Sequence, residues 1–308
     1  MSLDLSGILI CPRCGQPLPP EEAWAVGGTR CDGCGEVVSV VRGIARFVAS
    51  DAYASSFSFE WNRHRKTQLD DVTSRESEET FRDKTGLRPT DVAGRLVLDV
   101  GCGMGRFADV VSRWGGRVVG ADLSLAVEAA QSNLGRRENV RILQADLFRL
   151  PFAPGTFDIV YSLGVLHHTP DCERAFRRIA PLVRPGGRLC VWVYGTMGTW
   201  ERVARLYRRV TVRMPPRLLH ALCYFAIPWY HVGRLPYLGP AFRTLIPVRQ
   251  HPNPTWRVLD TFDWYSPKHQ SRHTFPEVYG WFQSEGFTDI RLFDFPVAVA
   301  GTRPAQAR

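Results

Sequence analysis

"RLVLDVGCGMGRFADVV", residues 95–111, passes from a β-branched run through three alternate glycines into an amphipathic segment. The run reads as a short buried strand, and the segment from Arg106 onward as a helix with one apolar face. Between them, Gly101, Gly103 and Gly105 let the backbone turn tightly and approach a ligand closely, with unpaired amides at the helix start. A strand, a glycine-rich turn and a helix in this order make a nucleotide-binding βα unit.

The alternation continues downstream. "RVVGAD" (117–122), "VRILQAD" (140–146), "FDIVYSLG" (157–164) and "GRLCVWVYG" (187–195) read as strands, with helices expected from about Ser124 to Leu134 and from about Pro170 to Val183. Short apolar strands alternating with helices imply a mostly parallel sheet covered on both faces. Asp99, Asp122 and Asp146 fall at or beside strand ends, the side of such a sheet on which ligands bind.

A dinucleotide fingerprint would need glycine at position 106, where this chain has Arg106. The observed spacing is G-x-G-x-G. On these residues the chain resembles the Rossmann-like, class I S-adenosylmethionine-dependent methyltransferases. "VLDVGCGMGRF" resembles their first motif, "VVGADLS" the acidic motif of the second strand, "LQADLFRLPF" the adenine-contacting segment, and "FDIVYSLGVLHHTPD" the fourth-strand segment, followed by "LVRPGGRL". The likeness covers about residues 92–195 and resumes at "TFPEVYGWFQSEGFTDIRLF".

The resemblance implies S-adenosyl-L-methionine as cofactor. It implies Asp99 near the methionine end, Gly101, Cys102, Gly103 and Gly105 along the cofactor, and Asp122 with Leu123 at the ribose. It further implies Asp146 and Leu147 at the adenine and Leu163 at the fourth-strand end. An upstream stretch, "FSFEWNRHRKTQLD" (57–70), is similar to one in a group of bacterial methyltransferases, which implies that Trp61 helps close the cofactor site. By the same likeness, "LDTFDWYSPKHQSRHTF" (259–275) implies Tyr265 and His269 in the acceptor pocket.

His167 and His168 follow the fourth strand, where this family reaches toward the transferred methyl. A histidine suits a general base because its ordinary pKa, about 6.5, lies near working pH. Adjacent residues in a turn point in different directions, so one of the two is expected to act, as base or as acceptor-orienting group. In the competing reading the pair shapes the entrance to a helix capped by Thr169, with Pro170 at its first position.

Cys11, Cys14, Cys31 and Cys34 have the spacing C-x2-C-x16-C-x2-C, which reads as a tetrathiolate zinc site. Four thiolates fill a tetrahedron, so the Zn2+ is expected to be structural. Two disulfides or a redox pair are the alternatives. Residues 1–50 hold four arginines and five acids and offer no basic face for nucleic acid.

The chain carries a formal charge of +9, and residues 196–273 alone hold 12 Lys+Arg against 3 Asp+Glu. "WERVARLYRRV" puts Trp200, Val203, Leu206, Tyr207 and Val210 on one helical face and arginines on the other. "LLHALCYFAIPWYHVG" is too short to span a bilayer, and suits a lid or a membrane-surface contact. No basic leader precedes a long apolar core, so the expected location is the cytoplasm.

The expected organisation is a zinc ribbon at 1–50, a helical connector at 51–90, a Rossmann-like domain at 91–195 and 274–308, and a basic helical lid at 196–273. Three functions compete. The first is methyl transfer to an oxygen or nitrogen of a small-molecule, glycan or lipid-linked acceptor, partly apolar or anionic. The second is methylation of a ribosomal or transfer RNA base. The third is a non-catalytic adaptor that docks through the ribbon.

Overall fold

The computed structural model describes residues 3–25, 27–50, 52–71, 74–196 and 199–305. Its centre is the expected parallel sheet: β4 (Leu96–Val100), β5 (Arg117–Asp122), β6 (Val140–Gln144), β7 (Phe157–Leu163) and β8 (Val183–Trp192). These lie in the order β6-β5-β4-β7-β8, all parallel. β8 is flanked by the antiparallel pair β10 (Ala298–Thr302) and β9 (Thr288–Phe293). Val97, Leu98, Val100, Val118, Val119 and Val160 are fully buried, as strands covered on both faces must be. The helices α4 (Arg106–Arg113), α5 (Val127–Leu134), α6 (Cys172–Ile179) and α12 (Phe275–Ser284) connect and cover the strands. This is the Rossmann-like class expected from the alternation.

The start of α6 differs from expectation. Asp171, not Thr169, caps it by accepting the Arg174 amide at 2.9 Å. The Thr169 hydroxyl is occupied elsewhere, donating to the Leu166 carbonyl at 2.7 Å.

The first fifty residues continue the sheet. β1 (Gly28–Arg30), β2 (Val37–Val41) and β3 (Ile44–Arg46) form an antiparallel meander, and β3 pairs in parallel with β6, placing Ala45 opposite Leu143. Without β3 the β6 backbone would be an open edge. Arg46 clamps the junction, donating to Gln144 at 2.6 Å and to Glu128 at 3.0 Å. Leu3, Leu5, Leu9 and Val38 share one apolar cluster with Leu98 and Val160. The ribbon therefore draws on the main core as well as on its cysteines.

The segment expected as a connector is a wall of the molecule. α1 (Ser55–Arg63) packs against α5, and α2 (Glu76–Thr85) packs against α4, β8 and β10. Phe81 of α2 is fully buried against Phe107, Trp114 and Tyr161. Asp70 accepts the amides of Ser77 and Glu78 at the start of α2 and meets Arg113 of α4 at 2.7 Å. A short helix, α3 (Pro89–Val92), leads into β4.

The insertion is helical: α7 (Thr199–Thr211), α8 (Pro216–Cys223), α9 (Ala226–Val232), α10 (Gly239–Leu245) and α11 (Pro254–Tyr265). It has its own small core of Ala204, Leu219, Cys223, Val258, Phe262 and Tyr265. Among the described residues, no helix is long and apolar enough to cross a membrane.

Candidate active site

A cavity of about 460 Å³ opens at the carboxyl ends of β4, β5 and β7, roofed by α1, α2 and α11. This is where a parallel sheet of this winding holds its ligand. Its two ends are built differently.

One end is mostly backbone. The turn from Val100 to Met104 borders it, with Asp122 and Leu123 at the end of β5. Gly101 has φ 81°, and a Cβ there would meet Val165 at 2.4 Å, so no larger residue fits. Asp122 holds the turn: one carboxylate oxygen accepts the Gly103 amide at 2.9 Å, and the other accepts the Ser124 amide and hydroxyl at 2.8 and 2.6 Å. Burial raises its pKa, while the Ser124 and Gly103 hydrogen bonds lower it. Trp61 lies over Gly103, at 3.4 Å from where a Cβ would stand. Cys102, Leu147 and Leu163 complete this end.

Three residues of the expected cofactor set do not border the cavity. Gly105 precedes α4 with φ 92° and packs on Leu134, a structural task. Asp146 accepts the Phe148 amide at 2.9 Å and caps the turn that aims Leu147 inward. Asp99 lies beneath the turn, 3% exposed, with Oδ2 lacking a hydrogen-bond partner among the described residues. Burial pushes its pKa up to about 7.

The other end is made of side chains from distant segments. His168 and Thr169 border it, with Tyr194 beyond β8, Asp260, Asp263 and Trp264 on α11, and Arg272. Asp263 accepts the Tyr194 hydroxyl at 2.9 Å, and Asp260 pairs with Arg249 at 3.1 Å. The Lys84 ammonium lies 3.3 Å from the centre of the Trp192 ring, and burial holds its pKa well below the ordinary value.

The two histidines separate here. His168 Nδ1 is 3.1 Å from the His269 carbonyl, which can only accept, so Nδ1 carries the proton and Nε2 keeps a lone pair. That Nε2 is buried without a partner among the described residues. His167 does not border the cavity. It is stacked on Tyr194 with ring centres 3.8 Å apart, and its Nδ1 accepts the Tyr194 amide at 3.3 Å. Burial keeps both neutral, lowering His168 to about 3 and His167 well below the usual value.

Tyr265 and His269, expected in the acceptor pocket, do not border the cavity. Tyr265 belongs to the lid core and donates its hydroxyl to the Pro247 carbonyl at 2.7 Å. His269 contributes its carbonyl to His168, while its ring meets Tyr53 edge-on, 5.6 Å away. The helix α11 turns Asp260, Asp263 and Trp264 toward the cavity, so Tyr265, one residue on, faces the lid. Sequence reading also missed Glu60, Lys84 and Tyr194. Glu60 is in the quoted 57–70 stretch, but no spacing there distinguishes it from a solvated acid.

At the far edge of the sheet, the sulfurs of Cys11, Cys14, Cys31 and Cys34 all lie within 4.8 Å of one another. Cys11–Cys34 and Cys14–Cys31 are each 3.5 Å apart, too long for a disulfide. Four sulfurs about 2.3 Å from one ion stand about 3.8 Å apart, so the cluster fits a tetrahedral metal.

Fold and cavity together define a parallel α/β protein with a ligand-sized cavity at its strand ends. Residues 98–191 match the family model described as a methyltransferase domain. The chain is 33% identical over 187 residues to the ubiquinone biosynthesis O-methyltransferase of Chromobacterium violaceum, covering 57% of this chain and 76% of that one. It is 37% identical over 117 residues to methyltransferase GfsG of Streptomyces halstedii, covering 36% of this chain and about two fifths (42%) of GfsG. A solved S-adenosylmethionine dependent methyltransferase from Mesorhizobium loti aligns with 69% of this chain and 93% of its own at TM-score 0.42 and 18% identity. The chain belongs to the class I S-adenosylmethionine-dependent methyltransferases.

The residues present fit that cofactor. Asp122 keeps acceptor capacity on the oxygen that takes only the Gly103 amide, Gly101 leaves no room for a Cβ where the turn meets the cavity, and Asp99 Oδ2 is buried without a partner among the described residues.

Proposed function

We propose that this chain transfers a methyl group from S-adenosylmethionine to an oxygen or nitrogen of a small-molecule, glycan or lipid-linked acceptor. The observation that carries this reading is one cavity joining the Gly101–Met104 turn and Asp122 to His168, Tyr194 and Asp263. The bound cofactor supplies an electrophilic methyl; the protein has to align an acceptor behind it and exclude water. Asp122 takes the ribose hydroxyls, Trp61 closes over the turn, and Leu147 meets the adenine. Asp99 acts from beneath, toward the methionine end.

His168 is the orienting group of the acceptor. Its Nε2 lone pair receives a hydrogen bond from an acceptor hydroxyl or amine, and the His269 carbonyl holds its ring in place. A buried imidazole whose pKa is about 3 retains a proton poorly, so orientation suits His168 better than proton storage. Arg249, Arg272 and the tryptophan walls favour an acceptor with anionic and apolar parts. Cys11, Cys14, Cys31 and Cys34 hold a structural Zn2+ away from the chemistry.

The test is calorimetry with S-adenosylmethionine and S-adenosylhomocysteine on the wild type, Asp99→Ala and Asp122→Ala. Micromolar binding by the wild type and a loss of at least about tenfold in Asp122→Ala are expected. No binding by the wild type would sink the enzyme reading in favour of an adaptor. Turnover on a small acceptor that persists at high salt would eliminate the RNA reading, because RNA binding weakens steeply with salt.

A further inference from the structure

The most anomalous polar side chain bordering the cavity is Glu60 of α1. It is 0% exposed, and neither of its carboxylate oxygens has a hydrogen-bond partner among the described residues. An unpaired buried carboxyl costs several kcal/mol and persists only where something offsets it. Its neighbours within the fold do not: the facing helix α11 presents two more acids, Asp260 and Asp263. Asp260 is satisfied by Arg249 and Gln68. Asp263 has one oxygen on the Tyr194 hydroxyl. Glu60 is the member of the trio left open, one helical turn along α1 from Phe57, whose ring centre lies 5.2 Å from that of His168.

We propose that Glu60 is the catalytic base of this site, accepting the proton of the acceptor's nucleophilic hydroxyl or amine. This rests on the methyltransferase reading. The acceptor's O–H or N–H bond breaks and its proton passes to a Glu60 oxygen. The acceptor's lone pair forms the new bond to the methyl carbon, and the electrons of the S–CH3 bond remain on sulfur. Glu60 is ionised when it meets the acceptor and neutral after the step; burial and the two neighbouring acids raise its pKa, which makes its carboxylate a stronger base than an exposed one. The division of labour is between His168, which orients through a fixed lone pair, and Glu60, which retains the proton.

Sinefungin tests this without knowledge of the acceptor. It carries an amine where the cofactor carries the transferred methyl, whereas S-adenosylhomocysteine has nothing there. An ammonium facing Glu60 gains a charged hydrogen bond, so the wild type is expected to bind sinefungin at least about tenfold more tightly than S-adenosylhomocysteine. Glu60→Gln should abolish that preference while leaving the S-adenosylhomocysteine Kd within about threefold, which also certifies the fold. Glu60→Asp should retain part of it.

A wild-type ratio near one, or an unchanged ratio in Glu60→Gln, overturns the proposal alone. Equal loss of both ligands in Glu60→Gln moves the residue to the cofactor end and overturns it too. Failure of the wild type to bind either ligand removes the methyltransferase reading and this proposal with it.

Discussion

The two ends of the cavity solve the same problem with different materials. At the cofactor end, Gly101, Cys102, Gly103, Asp122, Leu147 and Leu163 come from successive strand ends between residues 101 and 163. Most of what they present is backbone, held by one carboxylate that accepts the Gly103 amide. At the end proposed for the acceptor, Glu60, His168, Tyr194, Asp263 and Arg272 come from five separate places in the chain and present side chains. A backbone site is encoded locally, because a tight turn needs glycine at set intervals. A side-chain site is encoded by packing, because each group is aimed by a helix or turn that something else positions.

The largest expected effect tests the buried floor of the cofactor end. The Asp99 carboxyl has a folded pKa of about 7 against an ordinary 3.8. Between about pH 4 and 7 the native state holds a proton that the unfolded chain has released, so the Asp99 contribution to stability falls as pH rises through that window. Asp99→Asn removes the penalty. Its stability relative to the ligand-free wild type should grow with pH, reaching about 4 kcal/mol above pH 7. Denaturant titrations at pH 4 and pH 8 with an equal difference at both would contradict the buried-acid account.

Next is the turn. Gly101→Ala must place a Cβ 2.4 Å from Val165 in a backbone that L residues avoid. Cofactor affinity should fall about a hundredfold, roughly 3 kcal/mol, as measured by calorimetry. A near-normal Kd would mean that the turn adapts and the backbone end is less rigid than described.

The histidines then separate the two ends. His168→Ala should cost on the order of a hundredfold in turnover with S-adenosylhomocysteine affinity unchanged. His167→Ala, which leaves a hole beneath Tyr194, should lower stability by about 2 kcal/mol. If both variants lost stability and cofactor affinity together, the pair would be part of the turn and nothing more.

The smallest effect on the cavity should come from the ribbon. Chelating the metal, or Cys31→Ser, should lower the melting temperature and loosen residues 3–46 in hydrogen exchange, because an ion held by four thiolates contributes folding free energy. Cofactor affinity should stay within about threefold, since the sulfurs are at the far edge of the sheet. A metal that exchanged on ligand binding would break that separation.

Legibility followed the same division. The strand–turn–helix at 95–111 and the aspartates at strand ends could be read because their periodicity and spacing are local. Asp146 and Gly105 stand where the spacing placed them, but only the fold shows that Asp146 caps the turn before Leu147 and that Gly105 lies against Leu134. Tyr265 is one residue from the cavity-lining face of α11, which presents Asp260, Asp263 and Trp264. The four-cysteine cluster was legible from its spacing, but the annealing of β3 to β6 was not. Nothing in "VRGIARFV" distinguishes a strand that ends a ribbon from one that extends a sheet.

The sequence by itself determined the parallel α/β class, the backbone turn at Gly101–Gly105, the carboxylate at Asp122 and the four-cysteine cluster. Each depends on residues close in the chain whose conformation is limited by steric or ligand geometry. Only the tertiary structure decided which histidine meets the cavity, which nitrogen of His168 carries the hydrogen, and that Glu60 has no partner among the described residues beside Asp260 and Asp263. Those properties depend on desolvation and on neighbours about a hundred or two hundred residues away, as His269 is from His168 and Asp263 from Glu60. A lone acid in a polar stretch becomes chemically exceptional only when folding removes the water and brings no replacement.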